Sequence, residues 1–263
     1  MMVGPTPIRI EINGCEIEVL RQGTGTPLLF LHGAGGLKGW APFLEELSKK
    51  FDVIAPSHPG FGRSDTPVWL EHFSDLVFFY CDFLEQLDLT NIQLIGHSMG
   101  GWLASELAIM GTGRFQTLTI VSAAGLRVVG VPMGDIFMWS AEERARKMVF
   151  DPVEGERRAK EVLSEEDADI ALKNTFTASK LCWSPRFHNP YLEKRLHRIT
   201  IPTMLMWGEH DPVFPSPDYP NAWHRAIKGS ELRIFPNCAH SPQTERLDDF
   251  LAGIETITKG TSK

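Results

Sequence analysis

A serine at position 98 lies between glycines in the motif GHSMG, residues 96–100, and this setting suits a catalytic nucleophile. The apolar run 92–96 before it predicts a strand, and the residues after it predict a helix. The glycines would let the turn hold Ser98 in a strained conformation that exposes its hydroxyl. The helix start would add free N–H groups and a positive dipole end, which favour an oxyanion. The pattern predicts acyl-transfer chemistry at Ser98, although a glycine-flanked serine can also simply cap a helix.

A serine hydroxyl becomes a good nucleophile only when a base takes its proton, and histidine titrates in the range that suits this role. Nine histidines are present. His240 follows the last predicted strand and precedes the C-terminal helix, so it should emerge at the sheet edge where Ser98 lies. We predict His240 as the base; the alternative is a histidine exposed on a surface loop. His32 and His97 are expected to brace the neighbouring loops through hydrogen bonds.

The base needs a carboxylate that fixes its orientation, and Asp211 is the candidate. It follows the predicted strand 203–207 in the turn GEHDP, at the carboxyl end of that strand. The end of the preceding strand offers Ser122 and no carboxylate. Glu209 and Asp218 are less well placed, and Asp211 could instead be a turn residue before a proline.

Negative charge that develops on a substrate carbonyl needs N–H donors, and the sequence offers two. The Met99 N–H directly follows the nucleophile. The Ala34 N–H lies in the loop HGAGG, residues 32–36, whose glycines would allow a close backbone approach, although a plain flexible turn explains them too. This loop lacks the glycine spacing of nucleotide-binding motifs. Neither a cofactor nor a metal is expected, because the histidines and cysteines lack metal-site spacing.

Eight short β-branched and apolar runs predict the sheet that must position these groups. The predicted strands are 8–12, 16–20, 27–31, 52–55, 92–95, 117–121, 203–207 and 232–235. The pair Asn13-Gly14 between the first two suits a tight hairpin, so the sheet should begin antiparallel. Predicted helices alternate with the later strands, at 39–49, 70–87, 99–110, 217–227 and 243–257. This alternation predicts an α/β fold with a mostly parallel eight-stranded sheet flanked by helices.

The alternation of strands and helices stops between residues 126 and 198, where helix-forming segments replace strands. These helical segments are 141–150, 155–163 and 165–173. We therefore predict a core domain made of residues 1–125 and 199–263, with a helical cap, residues 126–198, inserted after the sixth strand. A helical module that folds on its own is the alternative, but nothing resembling a linker precedes the next strand.

The predicted cap carries aromatic side chains that could line a substrate pocket above the serine. Phe137, Trp139 and Trp183 are the candidate substrate contacts, and each is explained equally well as part of the cap's own core. A small molecule is therefore the expected partner.

The overall charge and the cysteines narrow the class of partner and the compartment. A net charge of −7, with basic residues scattered among carboxylates, argues against nucleic acid and anionic membranes as partners. The four cysteines lie far apart, which favours free thiols in the cytoplasm. Residues 1–10 lack the pattern of a signal peptide, although the sequence leaves open that a leader was removed. No apolar run approaches the length of a membrane span. The sequence also leaves open whether the protein forms a homodimer.

These motifs, taken in order, resemble the α/β-hydrolase superfamily over nearly the whole chain. The segments that carry the resemblance are HGAGG, SHPGFGRSD, GHSMGG, WGEHDPVFP and NCAHSP. Members similar to this chain include carboxylesterases, C–C bond hydrolases of ring-cleavage products, lactonases and aminopeptidases. A serine nucleophile argues against the relatives that use aspartate at this turn, such as haloalkane dehalogenases. The sequence departs from many relatives at Ser57, where aspartate is usual.

The resemblance leaves several functions open. The leading expectation is an esterase that cleaves a small, largely apolar carboxylic ester through an acyl-enzyme. C–C bond hydrolases rank second for two reasons. They often carry asparagine where this chain has His97. Their cap usually presents an arginine to a substrate carboxylate, and no motif in this sequence identifies that arginine. The candidates for that arginine are Arg127, Arg144, Arg186 and Arg195. A ligand receptor that keeps the triad without turnover and an acyltransferase are further alternatives.

Overall fold

One mixed sheet of eight strands organises the chain, which confirms the predicted fold. The structure is a computed structural model that describes residues 4–259; residues 1–3, at the start of the segment inspected for a signal peptide, and 260–263, at the end of the predicted core, lie outside it. The strands are β1 (Ile8–Ile12), β2 (Cys15–Gln22), β3 (Pro27–Leu31), β4 (Asp52–Pro56), β5 (Ile92–His97), β6 (Phe115–Val121), β7 (Thr203–Gly208) and β8 (Glu231–Phe235). Their order across the sheet is β1-β2-β4-β3-β5-β6-β7-β8.

The sheet begins antiparallel with a hairpin that the pair Asn13-Gly14 closes. Both residues have positive φ, 50° and 76°, and Ile12 pairs with Cys15 across the turn. Asparagine and glycine tolerate this conformation better than other residues. β2 is also antiparallel to β4, and every later pairing is parallel. The carboxyl ends of β3 and β5 to β8 therefore meet at one edge of the sheet.

Helices cover both faces of the sheet and bury a separate apolar core on each. The helices are α1 (Pro42–Ser48), α2 (Phe73–Gln86), α3 (Met99–Ile109), α4 (Ala141–Lys147), α5 (Pro152–Ala159), α6 (Glu165–Cys182), α7 (Asp218–Ala226), α8 (Pro242–Glu245) and α9 (Leu247–Lys259). Apolar side chains of α2, α3 and α7 pack in one core, and those of α1 and α9 pack in the other. The result is a three-layer α/β arrangement.

Helices α1 and α5 begin at prolines rather than at the predicted residues. α1 begins at Pro42, because Gly39 has a φ of 71° and cannot continue a right-handed helix. α5 begins at Pro152, where the Asp151 side chain accepts a hydrogen bond from the Val153 N–H and caps the helix. Proline suits the first helical turn because the N–H that it lacks has no partner there.

The end of α6 and the continuity of the C-terminal helix also differ from the prediction. α6 continues to Cys182, whereas the sequence pattern predicted an end at residue 173. Its second half contains Asn174 and Thr177, which have low helix propensity, but both are buried, so tertiary packing extends the helix. The predicted helix 243–257 is instead α8 followed by α9, because Arg246 between them has a non-helical φ of −131°.

The segment between β6 and β7 contains α4, α5, α6 and a 3-10 helix (Glu193–Arg198), and the sheet resumes at β7. We call this segment, residues 122–202, the insert. Its last part folds back on its start and on α3, because the Gly125 N–H donates to the Phe187 carbonyl (2.8 Å) and the Asn189 amide donates to Glu106 (2.8 Å). Among residues 4–259, no helix is long and apolar enough to cross a membrane.

Candidate active site

The turn between β5 and α3 holds Ser98 in a strained backbone conformation. Ser98 has φ 55° and ψ −117°, a combination that side-chain-bearing residues rarely adopt and that costs about 1–3 kcal/mol. The Ser98 N–H donates to the Val121 carbonyl at the end of β6 (2.8 Å). The Ser98 carbonyl accepts from the N–H groups of Gly101 (3.0 Å) and Ala124 (3.1 Å). Hydrogen bonds on both sides of the residue therefore maintain the strained conformation.

Two glycines allow α3 to approach the strand ends closely enough to form this turn. A Cβ atom on Gly100 would lie 2.1 Å from the Leu31 carbonyl oxygen at the end of β3. A Cβ atom on Gly96 would lie 2.2 Å from the Gly100 carbonyl oxygen. Both distances are far below van der Waals contact. Both positions therefore require glycine, because any side chain there would collide with the backbone that packs against it.

Asp211 and His240 form a buried, hydrogen-bonded pair. His240 Nδ1 lies 2.9 Å from each carboxylate oxygen, and only 1% of Asp211 and 2% of His240 is exposed. The N–H groups of Val213 and Phe214 also donate to Asp211 Oδ1, at 2.8 and 3.2 Å. These donors satisfy the buried carboxylate. A carboxylate only accepts hydrogen bonds, so Nδ1 is the donor in this contact and Nε2 is the ring nitrogen left to accept a proton.

Parallel strands bring the three predicted triad residues to the same edge of the sheet. Ser98 follows β5, Asp211 follows β7 and His240 follows β8. His97, in the nucleophile turn, donates from Nε2 to the His240 carbonyl (2.9 Å), so turn and loop are in contact. Burial, with a contribution from His240, lowers the pKa of His97 to about 3, so its ring is neutral. Among residues 4–259, no hydrogen bond joins the Ser98 hydroxyl to His240.

Glu245, in α8, holds the loop that carries His240, and the sequence analysis did not identify it. Its carboxylate accepts hydrogen bonds from the N–H groups on either side of His240, those of Ala239 and Ser241, each at 3.2 Å. It also accepts from the N–H of Phe150 in the insert (2.7 Å). An acidic residue in the first turn of a helix that begins directly after the His240 loop is the signal that could have indicated this role.

The glycine loop, residues 32–36, lies against the nucleophile turn. A Cβ atom on Gly33 would be 3.0 Å from the Ser98 Cβ atom, so the backbone of this loop passes directly beside the serine. Ala34 is buried, and its N–H has no hydrogen-bond acceptor within the described part of the chain. The Met99 N–H lies in the first turn of α3, where helix N–H groups have no partner within the helix. Both predicted oxyanion donors therefore lie close to Ser98.

Two buried histidines brace the start of the glycine loop. The rings of His32 and His58 stack with centroids 3.7 Å apart. His32 Nδ1 donates to the Gly33 carbonyl (2.8 Å), and His32 Nε2 accepts from the His58 N–H (3.0 Å). His58 Nε2 donates to the His32 carbonyl (3.1 Å), and the Tyr80 hydroxyl donates to His58 Nδ1. Burial lowers the pKa of His32 to about 4 and that of His58 well below its ordinary value.

The structure separates the three aromatic residues proposed as substrate contacts into two groups. Phe137 and Trp183 lie together, with ring centroids 6.1 Å apart, and Phe137 also stacks on Phe187 at 4.7 Å. Trp183 is 54% exposed, so part of this group faces solvent. Trp139 instead packs on the backbone at residue 134, with the Lys147 ammonium 4.8 Å from its ring centre. Trp139 is therefore not in ring contact with the other two.

Arg186 is the arginine, among the four candidates, that joins the aromatic group. Its guanidinium lies 3.7 Å from the Trp183 ring centre and 5.3 Å from that of Phe137. Nη2 is 3.6 Å from an Asp135 carboxylate oxygen, whereas Nη1 is buried without a hydrogen-bond partner among the described residues. Arg127 donates instead to Tyr219. Arg186 therefore presents a free donor beside two aromatic rings.

Comparison with known proteins identifies relatives along most of the chain. A model of the alpha/beta hydrolase family matches residues 28–253. A 2-hydroxy-6-oxononadienedioate/2-hydroxy-6-oxononatrienedioate hydrolase from Escherichia coli O81 (strain ED1a) is 32% identical over 271 positions, covering 92% of this chain and 88% of that protein. The dihydrolipoyllysine-residue acetyltransferase component of the acetoin cleaving system from Cupriavidus necator is 24% identical, and this chain spans 66% of its length.

Solved structures share the fold. The crystal structure of a meta-cleavage product hydrolase from Pseudomonas fluorescens IP01 superimposes with a TM-score of 0.81 and 19% identity. The superposition covers 96% of this chain and 98% of that one. The sheet, its antiparallel start and the helices on both faces thus follow a known arrangement.

Acid is expected to destabilise the fold through the stacked histidines. In the folded chain their pKa values lie below the ordinary 6.5, about 4 for His32, whereas the unfolded chain returns them to ordinary values. The unfolded state therefore binds more protons between about pH 6.5 and 4, so the free energy of unfolding falls as the pH falls through this window. The pKa shift of His32 alone lowers the free energy of unfolding by on the order of 3 kcal/mol across this window. Urea unfolding at several pH values measures this slope.

Two variants separate this pair from the other titrating groups. H58Q keeps a donor and an acceptor but removes one titrating ring, so the loss of stability with acid should become shallower. H197Q removes a histidine that is exposed on the 3-10 helix and should leave the slope unchanged. Equal slopes for H58Q and the wild type would contradict this explanation.

E245Q should slow turnover, because an amide offers one acceptor oxygen where the carboxylate offers two. At least one N–H among those of Ala239, Ser241 and Phe150 would then lose its acceptor. We expect kcat on an aryl ester to fall by about tenfold with KM nearly unchanged, since the His240 loop is less well held. E255Q, which changes a half-buried carboxylate on α9 that pairs with Lys50 and Lys259, is the matched control. A kcat for E245Q equal to that of E255Q would show that Glu245 does not hold the base.

Proposed function

Because the chain belongs to the alpha/beta hydrolase family, we propose that it is a serine hydrolase in which Ser98, His240 and Asp211 act as nucleophile, base and orienting acid. The buried pair of His240 and Asp211 carries this proposal, because Asp211 fixes the ring through Nδ1 and the His240 loop contacts the turn that carries Ser98 through His97. Ala34 and Met99 are the proposed sources of the oxyanion N–H donors. Hydrogen bonds between nucleophile and base are often absent without substrate and form in the complex.

In the proposed reaction, His240 Nε2 takes the hydroxyl proton as Ser98 Oγ attacks a substrate carbonyl. The carbonyl electron pair moves onto the oxygen, where the N–H groups of Ala34 and Met99 would stabilise the charge. The electron pair then returns, the bond to the leaving group breaks, and His240 gives its proton to that group. Water, deprotonated by His240, then attacks the acyl carbon; the bond to Ser98 Oγ breaks, His240 returns the proton to Oγ, and the carboxylic acid leaves.

We further propose that the scissile bond is a C–C bond beside a ketone in a small carboxylate-bearing substrate. Relatives 31% and 32% identical to this chain are named 2-hydroxy-6-oxononadienedioate/2-hydroxy-6-oxononatrienedioate hydrolases. A leaving carbon must hold the electron pair of the broken bond, so the substrate needs a second carbonyl, conjugated to that carbon, that accepts the pair as an enolate. His240 would then protonate the carbon instead of a heteroatom.

Arg186 is the proposed contact for the substrate's carboxylate. Its Nη1 is buried without a described partner, and an unpaired buried donor is costly unless a ligand satisfies it. Asp135 lies 3.6 Å from the other nitrogen and neutralises only part of the charge. Phe137 and Trp183, beside the guanidinium, would contact the apolar part of the substrate.

Ester hydrolysis is the second candidate, and one residue favours it. The C–C bond hydrolases that this chain resembles often carry asparagine at the position of His97. The same acyl-enzyme would serve an ester, whose alkoxide leaving group takes the proton from His240 without needing a second carbonyl. Small, largely apolar esters are the expected class.

We propose that residues 126–198 form a cap domain over this site, with residues 1–125 and 199–263 as the core domain. Two hydrogen bonds between the insert and loops beside the triad support this division. The Gly134 N–H donates to the Val213 carbonyl (2.8 Å), next to Asp211, and the Phe150 N–H donates to Glu245 (2.7 Å). A cap attached in this way would decide which substrate reaches the serine.

Kinetics of three variants on two substrate types test the proposed function. S98A should lose turnover on both a 2-hydroxy-6-oxo dienoate and a p-nitrophenyl ester, and D211N should lose about 10³–10⁴-fold in kcat with KM little changed. S122A, which truncates another buried serine at the end of a neighbouring strand, is the control and should retain activity. Activity retained by S98A would refute the triad. A kcat/KM much higher for esters than for the dienoate would favour the second candidate.

R186Q tests the carboxylate contact. Losing a hydrogen bond to a charged group should raise KM for a carboxylate-bearing substrate by about 10- to 100-fold. KM for a neutral ester should change little, because that substrate has no carboxylate to bind. R195Q is the matched control, since Arg195 is exposed and stacks on Tyr191. Equal changes in KM for the charged and neutral substrates would assign Arg186 a structural role instead.

A further inference from the structure

Asn174, on α6 of the insert, connects two loops of the core. Its Nδ2 donates to the Gly35 carbonyl in the glycine loop (3.0 Å), and its Oδ1 accepts from the Gly62 N–H in the loop after β4 (2.8 Å). The two partners, one carbonyl and one N–H, fix which end of the amide points where. Only 4% of Asn174 is exposed. A buried amide with both ends satisfied across two loops is a rigid link between them.

The glycine loop has few hydrogen bonds of its own. The Gly36 N–H donates to the Gly33 carbonyl (3.0 Å), and His32 donates to the same carbonyl. On the other side of Ala34, the hydrogen bond from Asn174 holds the Gly35 carbonyl. Gly36 has a φ of 80°, and a Cβ atom there would lie 2.3 Å from Asn174 Nδ2. The asparagine therefore occupies the space that a side chain at position 36 would fill.

These contacts fix Ala34 on both sides. The Gly33 carbonyl before it is held from within the core, and the Gly35 carbonyl after it is held by the insert. A loop of glycines would otherwise have wide conformational freedom. Oxyanion donors stabilise a transition state only when they are already aimed at the position of the developing charge, and a displacement of about 1 Å can cost about a hundredfold in rate.

We infer that Asn174 is a positioning residue that holds the Ala34 N–H in its orientation, so that a residue of the insert completes the oxyanion site of the core. The inference rests on the proposed role of Ala34. Neighbouring side chains on α6 do not share this contact: Thr177 donates to the Gly60 carbonyl (2.7 Å), and Lys173 donates to the Ser64 carbonyl (2.5 Å) and the Gly62 carbonyl. They attach α6 to the loop after β4 only.

The test compares N174D with T177V. N174D is nearly isosteric and keeps the oxygen that faces Gly62, but it replaces the donor to Gly35 with an oxygen, which would repel the carbonyl. T177V is also nearly isosteric and removes only the hydrogen bond to Gly60, one turn along the same helix. We expect kcat for N174D to fall by about 10- to 100-fold with KM nearly unchanged, and kcat for T177V to stay within about threefold of the wild type.

Inhibitor binding separates transition-state positioning from a general loss of structure. Phenylboronic acid forms a tetrahedral, negatively charged adduct with an active serine, so its Ki should rise in N174D by the same factor as kcat falls. The Ki of the carboxylic acid product, which binds without forming that adduct, should not change. An unchanged kcat in N174D, equal losses in N174D and T177V, or equal changes in the two Ki values would each overturn the inference.

Two controls keep the result interpretable. If N174D does not fold, as judged by circular dichroism and thermal unfolding, the pair N174A and T177A provides the same comparison without introducing a charge. The S98A variant, assayed in parallel, distinguishes the two levels of the proposal. Activity retained by S98A would refute the proposed function, whereas loss of activity in S98A together with a normal N174D would refute only the role of Asn174.

Discussion

A carboxylate that is almost fully withdrawn from water must be surrounded by donors, and Asp211 meets this requirement through the His240 ring and two backbone N–H groups of its own loop. Removing a donor would leave buried charge without a partner, which costs more than an ordinary hydrogen bond contributes. The ends of β7 and β8 must therefore keep their relative position, because Asp211 follows one and His240 the other. Other contacts hold the same loop: His97 binds the His240 carbonyl, and Glu245 binds the backbone on both sides of it.

Three of the hydrogen bonds between the insert and the core end on loops that carry groups of the proposed site. Gly134 bonds to the loop after Asp211, Phe150 bonds to Glu245 beside the His240 loop, and Asn174 bonds to the glycine loop. A change in the position of the insert would therefore move backbone close to each group with a proposed chemical role. Under the proposed function, substrate selection and the geometry of the reaction would be coupled, because the same insert would contribute to both.

The features predicted well from sequence are those with a local pattern. Strands gave alternating or continuous apolar runs, the Asn13-Gly14 pair marked the hairpin, and glycines around Ser98 marked the turn. Contacts between distant segments have no such pattern. Asn174 lay beyond the predicted end of its helix, and Glu245 lay inside a helix predicted as continuous, so their roles emerged only from the fold. Substrate preference was equally hidden: the sequence favoured an ester, whereas C–C bond cleavage was proposed only after a relative 32% identical proved to be named a 2-hydroxy-6-oxononadienedioate/2-hydroxy-6-oxononatrienedioate hydrolase.

Mass spectrometry tests most directly whether Ser98 forms the covalent intermediate. The protein would be treated with a fluorophosphonate, digested, and mapped for the modified peptide. We predict a single adduct on Ser98, formed at a rate that falls sharply in D211N because the base loses its orienting partner. An adduct on another residue, or labelling that persists in S98A, would contradict the account.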